Sequence, residues 1–272
     1  MKDWNAVWCE RMRSNLESKG LTDRDVFWND PSKARNYDRH VSADNWSRGR
    51  KTMSELDIGR GDSVIDIGCG TGALVIPLLQ GGVSVTALDA SGLMLDICKE
   101  HVAELGLSGA SFVEKRWEDV DAGEDLDAPF DHVVASFSLG MLDIQSSVEK
   151  MISVCSGTVN LYWFARKTES DKLYMSLWPS LHGTDYVPGP KLNVLLNTLF
   201  DMGVTPSMQT FSNIHVESYD SAVLAAEAYA PRMNVDTSDK MLILKKMLAD
   251  AYGDTPCRIP TGFIGARLWW DV

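Results

Sequence analysis

The stretch "VIDIGCGTGALVIPLL", residues 64–79, decides the fold, because one apolar run leads through three glycines into a second apolar run. We interpret it as a strand, a glycine turn and a helix. Glycine tolerates positive φ and has no Cβ, so such a turn brings bare backbone against a ligand. The helix that follows offers free N–H groups at its start. The stretch therefore predicts a ligand seated on the turn.

Short apolar runs recur along the chain and are separated by segments of helical length. They lie at residues 63–68, 83–89, 110–115, 131–137 and 157–165. Strands that alternate with helices indicate βαβ units and a parallel sheet covered on both faces. The pattern predicts an α/β fold with a doubly wound, mostly parallel sheet.

The segments outside this alternation differ in character. Trp4, Val7, Trp8, Met12 and Leu16 share one helix face. The aromatic and Pro/Gly-rich segment 166–190 is expected to be a loop or short helix over the sheet edge. We expect a single domain, 1–272, made of a helical preface (1–60), a ligand-binding core (61–165), substrate-side insertions (166–190 and 219–251) and a final strand region (257–270).

Composition narrows the class of partner. A net charge of −12 disfavours a nucleic-acid-binding surface, and no apolar run is long enough to span a membrane. The start of the chain lacks the apolar core of a signal peptide. The five cysteines show no CxxC pair and no metal-ligand spacing with histidine, so we expect reduced thiols and no metal. These features predict a soluble, cytoplasmic protein.

Asp66 decides between two classes of ligand. Gly68, Gly70 and Ala73 satisfy a relaxed dinucleotide fingerprint, and Asp89 lies where a ribose-binding acid is expected in either class. A carboxylate at Asp66 would repel a pyrophosphate, but it suits a ligand with a positive ammonium and sulfonium. The ligand that fits is S-adenosylmethionine (SAM).

Residues 63 to about 140 resemble the class I SAM-dependent methyltransferases, including the branch similar to the ubiquinone and menaquinone biosynthesis enzymes. "VIDIGCGTG" is similar to their first motif almost letter for letter. The resemblance implies a Rossmann-like, seven-stranded sheet with its last strand antiparallel, here "ARLWWDV", and a helical cap. The alternative is a flavodoxin-like or dehydrogenase sheet with a coincidental turn.

The resemblance also implies the cofactor-binding residues. The turn would surround the methionine part of SAM, with Asp66 near its amino group, and Asp89 would hold both ribose hydroxyls. The residues implied for the turn and for the adenosine are Gly68, Cys69, Gly70, Thr71, Gly72, Ala90, Ser91 and Met94.

The third motif departs from the family. Relatives often carry an aspartate that accepts a hydrogen bond from the adenine amino group, whereas "FVEKRWEDV" places Lys115, Arg116 and Trp117 there. Arg116 cannot accept this bond. We expect the backbone of Trp117 to bind the adenine edge, its ring to cover part of the pocket, and Glu118 to be the substitute acceptor.

Two further segments complete the expected site. The fourth strand ends in Ser136, Phe137 and Ser138, where relatives meet the sulfonium and the methyl acceptor. Ligands of open α/β sheets bind at such carboxyl ends, and Ser136 and Phe137 are the expected site residues. Tyr37 in "ARNYD" resembles the entry segment that closes over the methionine moiety in relatives.

Methyl transfer from a sulfonium is an in-line displacement, so the protein mainly aligns the acceptor and excludes water. A base is needed only for an acceptor that must lose a proton. His182 and Tyr186 are the candidates, and no catalytic residue is assigned. Trp163, Trp178 and Tyr186 would suit a flat or apolar substrate.

The sequence thus predicts a SAM-dependent methyltransferase that acts on a small molecule and releases S-adenosylhomocysteine (SAH). No nucleic-acid or membrane partner is expected. The alternatives are a protein or RNA methyltransferase, and a non-catalytic module that binds SAM or a nucleotide.

Overall fold

One mixed sheet forms the centre of the protein. The computed structural model describes residues 2–22 and 27–272, and within these ranges the sheet has seven strands in the order β3-β2-β1-β4-β5-β7-β6. β7 is antiparallel to both of its neighbours, and the other strands run parallel. This confirms the predicted fold class. The strands are β1 (Ser63–Ile67), β2 (Ser84–Asp89), β3 (Ala110–Glu114), β4 (Phe130–Ser136), β5 (Cys155–Phe164), β6 (Ser207–Tyr219) and β7 (Cys257–Asp271).

Helices cover both faces of the sheet. The helices of the described ranges are α1 (Trp4–Ser18), α2 (Pro31–Ser42), α3 (Ser47–Glu55), α4 (Val75–Gln80), α5 (Gly92–Glu104), α6 (Ile144–Ser153), α7 (Glu169–His182), α8 (Leu192–Asp201), α9 (Ala222–Tyr229) and α10 (Ser238–Tyr252). One buried cluster joins α1, α6 and α8 to the sheet, and a second joins α4 and α5 to its other face. Parallel strands need this two-sided cover.

The helix α1 is part of the main core. The Trp8 side chain is fully buried, its Nε1 donates a hydrogen bond to the carbonyl oxygen of Met141 at 2.8 Å, and its ring lies 5.6 Å from that of Trp163. A buried tryptophan needs a partner for its N–H, and Met141 supplies it. The first helix of the predicted preface is therefore packed on the sheet.

The segment after β5 differs from its prediction. Residues 169–182 form a 14-residue helix, α7, instead of a loop or short helix. Thr168 and Asp171 form a capping box at its start, and Gly183 ends it at φ 72°. Reciprocal capping stabilises the first turn of a helix. These local bonds outweigh the aromatic and proline content that suggested an irregular segment.

β6 and β7 form a ribbon that extends beyond the rest of the sheet. They pair along all 13 residues of β6, whereas β5 pairs with β7 only along residues 265–271. Residues 257–264 of β7 thus extend about 26 Å past the carboxyl end of β5, at ~3.3 Å per residue. Helices α7, α9 and α10 pack around this projection in a separate buried cluster, which we call the cap.

No helix within the described residues combines the length and the apolar character needed to cross a membrane.

Candidate functional site

The glycine turn is fixed to the carboxyl ends of β1 and β2. The N–H groups of Gly68 and Cys69 both donate to the carbonyl oxygen of Leu88, at 2.7 and 3.0 Å. The N–H of Gly70 donates to Oδ2 of Asp89 at 2.9 Å. Parallel pairing of β1 with β2 sets this register. The structure therefore brings the turn and the second acid together, as the motif predicts.

Asp89 keeps acceptor capacity for a ligand. Its two carboxylate oxygens accept from the N–H groups of Gly70 and Ser91, at 2.9 and 2.8 Å. Each oxygen has a further lone pair, so the carboxylate is able to accept one more hydrogen bond on each oxygen from a pair of ligand hydroxyls. Burial raises the pKa of Asp89, and the backbone N–H groups of Ser91, Gly70 and Ala90 oppose this rise.

Asp66 is a buried carboxylate without a counter-charge among the described residues. It is 2% exposed, and burial, followed by the charge of Asp89, raises its pKa to about 7. Within the described part of the chain, neither a hydrogen bond nor a cation opposes this shift. A buried charge is costly unless it is paired. The position therefore fits a ligand that brings a positive group.

Cofactor affinity should depend on pH through Asp66. The SAH ammonium binds the ionised carboxylate, and a pKa of about 7 means that only ~10% of the free protein is ionised at pH 6 but ~90% at pH 8. We expect SAH affinity to rise about tenfold between these pH values. Isothermal titration at both values, in buffers of different ionisation enthalpy, should also show proton release near pH 7. Affinity that is constant over this range would contradict the assignment.

Gly70 leaves a gap in the turn that a side chain would fill. It has φ 58°, and a Cβ there would lie 3.4 Å from Cε of Met94 and 3.5 Å from Cε1 of Tyr37. Only glycine adopts this conformation without strain. The turn, α5 and α2 thus surround one space, and Tyr37 of α2 belongs to it.

The hydroxyl of Thr71, in the turn, is a buried polar group without a hydrogen-bond partner among the described residues. Thr71 is fully buried, and among residues 2–22 and 27–272 its Oγ1 has no hydrogen-bond partner. Buried polar atoms usually have partners, so this one suits a ligand contact. Cys69 in the turn and Cys98 on α5 are free, buried thiols. The Cys69 thiol donates to the carbonyl oxygen of Gly70 at 3.6 Å, and the neighbouring Cys98 thiol and burial raise the pKa of Cys69.

The adenosine-side residues lie at the start of α5. Ser91 caps this helix by accepting from the N–H of Met94 at 3.3 Å, and Ala90 precedes it. Met94 is buried against Ala34 and Ile97, so α2 covers much of its side chain. The structure brings these residues to the turn, and their contact with adenine remains a prediction.

The Trp117 ring is not where the sequence predicts it. The side chain is 2% exposed and its Nε1 donates to the carbonyl oxygen of Ser147 at 3.0 Å, so the ring packs in the core under α6. Lys150 donates to the carbonyl oxygen of Trp117 at 2.9 Å and fixes the segment. Glu118 accepts from Arg116 at 2.8 Å and retains its second oxygen. The backbone of Trp117 and the carboxylate of Glu118 stay predicted adenine contacts.

The carboxyl end of β4 meets the glycine turn. Ser136 ends the strand, and Phe137 follows at φ 57°, held by donation of its N–H to the carbonyl oxygen of Tyr162 at 3.0 Å. Ser138, which the sequence places at this strand end without making it a site residue, has its Cβ 2.3 Å from the position of a Cβ built on Gly68. Its hydroxyl donates to the carbonyl oxygen of Ile67, and its one signal was its place after the strand.

The two candidate bases lie in the cap and are not brought to the turn. Nε2 of His182 is 2.9 Å from the carbonyl oxygen of Met233, and its ring lies 4.2 Å from that of Trp178. The hydroxyl of Tyr186 donates to Asp171 at 3.1 Å, and burial raises its pKa. Both polar groups are engaged inside the cap, which argues against either as a base.

Metal chemistry has no visible ligand set in the described ranges. No three His, Cys, Asp or Glu side chains there come together as a metal site.

The fold and the turn define a Rossmann-like protein with a candidate ligand site at the carboxyl ends of β1, β2 and β4. Residues 64–157 match the family described as "Methyltransferase domain". Over these residues the chain is similar to the class I SAM-dependent methyltransferases. This family uses SAM as its cofactor.

Individual proteins are similar to larger parts of the chain. An uncharacterized protein of Haemophilus influenzae is 26% identical over 65% of each chain. A ubiquinone biosynthesis O-methyltransferase of Methylocella silvestris is 26% identical over 56% of this chain and 55% of its own length. The chain thus spans less than two thirds of either relative. The structure of the YcgJ protein from Bacillus subtilis has a TM-score of 0.56 at 14% identity, covers 82% of this chain and 97% of its own, and shows a shared fold.

Proposed function

We propose that the protein transfers a methyl group from SAM to a small-molecule acceptor. The observation that carries the proposal is Asp66, a buried carboxylate beside the glycine turn to which residues 2–22 and 27–272 bring no counter-charge. A pyrophosphate would meet this carboxylate with like charge, whereas an ammonium would neutralise it. The Thr71 hydroxyl, which has no partner within the described part of the chain, and the gap at Gly70 support the same ligand.

The chain's own residues would bind and position the cofactor. Asp66 holds the ammonium, Asp89 the ribose hydroxyls, and Tyr37 with Met94 limits the access of water from the α2 side. SAM supplies a methyl group bonded to a sulfonium. SAH is the leaving group, and it needs no further activation. Positioning of the acceptor and exclusion of water are then the main tasks of the protein.

Several features favour a small acceptor. The relative from Methylocella silvestris is named for a small-molecule reaction. A net charge of −12 disfavours RNA. The cap adds material beside the carboxyl ends of the strands, where a small acceptor would be enclosed. A protein or RNA acceptor and a non-catalytic binding role are the alternatives.

A reducing compartment suits the protein. The cysteines of the described ranges are free, and four of them are buried. Persistent free thiols are typical of the cytoplasm. We therefore place the reaction there.

Titration calorimetry tests the cofactor assignment. We expect SAH to bind and NADH to give no heat, because a pyrophosphate would lie against the Asp66 charge. The opposite preference would overturn the assignment. Transfer from labelled SAM to metabolite pools then tests catalysis, and SAH binding without any labelled product would favour the binding-module alternative.

A further inference from the structure

Four phenylalanines from four different parts of the sheet meet beside β4. Phe137 follows β4, Phe164 ends β5, Phe211 lies on β6 and Phe263 on β7. The Phe137 ring lies 4.7 Å from that of Phe263, 5.0 Å from that of Phe164 and 6.3 Å from that of Phe211. All four side chains are partly exposed. We call this set the phenylalanine wall.

The backbone is specialised to build the wall. Phe137 has φ 57°, a conformation that costs free energy in a residue with a bulky side chain and recurs at functional sites. A Cβ at Gly265 would lie 2.6 Å from Cζ of Phe211, so only glycine allows this ring to lie across β7. That crossing brings Phe211 within 6.3 Å of the Tyr162 ring.

The wall begins one residue from the cofactor turn. Ser138 packs against Gly68, and Phe137 directly precedes it. In the sheet order β2-β1-β4, Asp89 on β2 marks the ribose side and Asp66 lies on β1. The β4 side is therefore opposite to the ribose, next to the methionine part of the cofactor. This step rests on the proposed function.

The wall carries no uncompensated charge among its described neighbours. Nζ of Lys191 lies 5.3 Å from the centre of the Phe164 ring, and it forms a 2.8 Å salt bridge with Asp171. Aromatic faces attract other rings in offset or edge-to-face arrangements. The tryptophans that the sequence suggested for a flat substrate, Trp163 and Trp178, are instead buried in the core and the cap.

We infer that Phe137, Phe164, Phe211 and Phe263 bind the methyl acceptor, and that this acceptor carries a planar conjugated ring. A saturated ring of the same size would fill similar volume but could not stack on the wall. The four rings thus select the acceptor by its flatness and its π-system.

Calorimetry on the full chain saturated with SAH tests this inference. The probes are 2-naphthol and its saturated counterpart, decahydro-2-naphthol. We expect 2-naphthol to bind at least about tenfold more tightly than the saturated alcohol. Phe263→Leu and, separately, Phe211→Leu should weaken 2-naphthol binding by about tenfold and leave SAH affinity unchanged. The matched control is Phe200→Leu on α8, where the side chain is 55% exposed and should not affect either ligand.

The outcomes separate the inference from the proposed function. If SAH binds but the two probes bind equally, or fail to bind, the inference is overturned and the proposed function stands. The same holds if the variants fold, bind SAH and keep full affinity for 2-naphthol. If SAH itself does not bind, both the inference and the proposed function are overturned. If a variant does not fold, the affinities of the natural chain for the two probes decide whether the inference holds.

Discussion

Asp66→Asn is expected to lower the affinity for SAH by about 100-fold, because it removes one partner of a buried ion pair. Loss of such a partner costs about 2–5 kcal/mol, and each 1.4 kcal/mol is a factor of ten. The variant should leave binding of 5′-methylthioadenosine unchanged, since this ligand shares the adenosine but lacks the ammonium. Calorimetry with both ligands measures the difference.

The same substitution should stabilise the protein without ligand. The pKa of Asp66 is raised in the folded state to about 7, so the folded protein binds more protons than the unfolded chain between about pH 4 and pH 7. The ionised carboxylate is therefore a destabilising charge, fully present above pH 7 and lost as the pH falls. We expect Asp66→Asn to raise the melting temperature more at pH 8 than at pH 5.

A control separates this effect from a change in net charge. Asp96 lies on α5 with its side chain 65% exposed, so Asp96→Asn removes the same charge at the surface. It should leave both SAH affinity and the pH dependence of melting unaltered. Equal behaviour of the two variants would show that Asp66 does not meet the ammonium.

Asp89→Ala should weaken both SAH and 5′-methylthioadenosine by about 100-fold. Hydrogen bonds to a charged group contribute about 1.5–3 kcal/mol each, and Asp89 has one free acceptor site on each oxygen. The variant should also melt at a lower temperature, because the N–H groups of Gly70 and Ser91 lose their acceptor.

Asp89→Asn is the matched comparison, since it keeps the shape and one acceptor oxygen. Its affinity for both ligands should lie between those of the natural chain and of Asp89→Ala. If Asp89→Ala weakened SAH alone, Asp89 would contact the amino-acid part of the ligand, and the ribose assignment would be wrong.

The fold could be predicted from the sequence because its signals are local. Apolar runs at helical distances specify parallel strands, and the turn at residues 68–72 follows a strand directly. Helix α7 was also encoded locally, in Thr168 and Asp171, but the composition of the segment hid the capping box. The positions of His182 and Tyr186 depend on how the cap packs, which their spacing does not reveal.

The phenylalanine wall could not be predicted from the sequence. Its members lie at residues 137, 164, 211 and 263 and meet only because β7 is inserted between β5 and β6. The need for glycine at position 265 becomes visible only when the Phe211 ring is seen across the strand. Trp117 is the opposite case. Its position in the third motif predicts a ligand contact for the ring, but the ring is buried in the main hydrophobic core.

The insertion of β7 between β5 and β6 also constrains how the chain can fold. Thr158 on β5 and Asp271 on β7 pair across a sequence separation of 113 residues. The sheet therefore cannot be completed until β7 is available. Before that moment β5 exposes a long apolar edge with unpaired N–H and C=O groups, and such edges recruit other chains. Non-local pairing of this kind is slow. Refolding yield should therefore depend on protein concentration, and the half-formed sheet is the species that chaperones would have to shield.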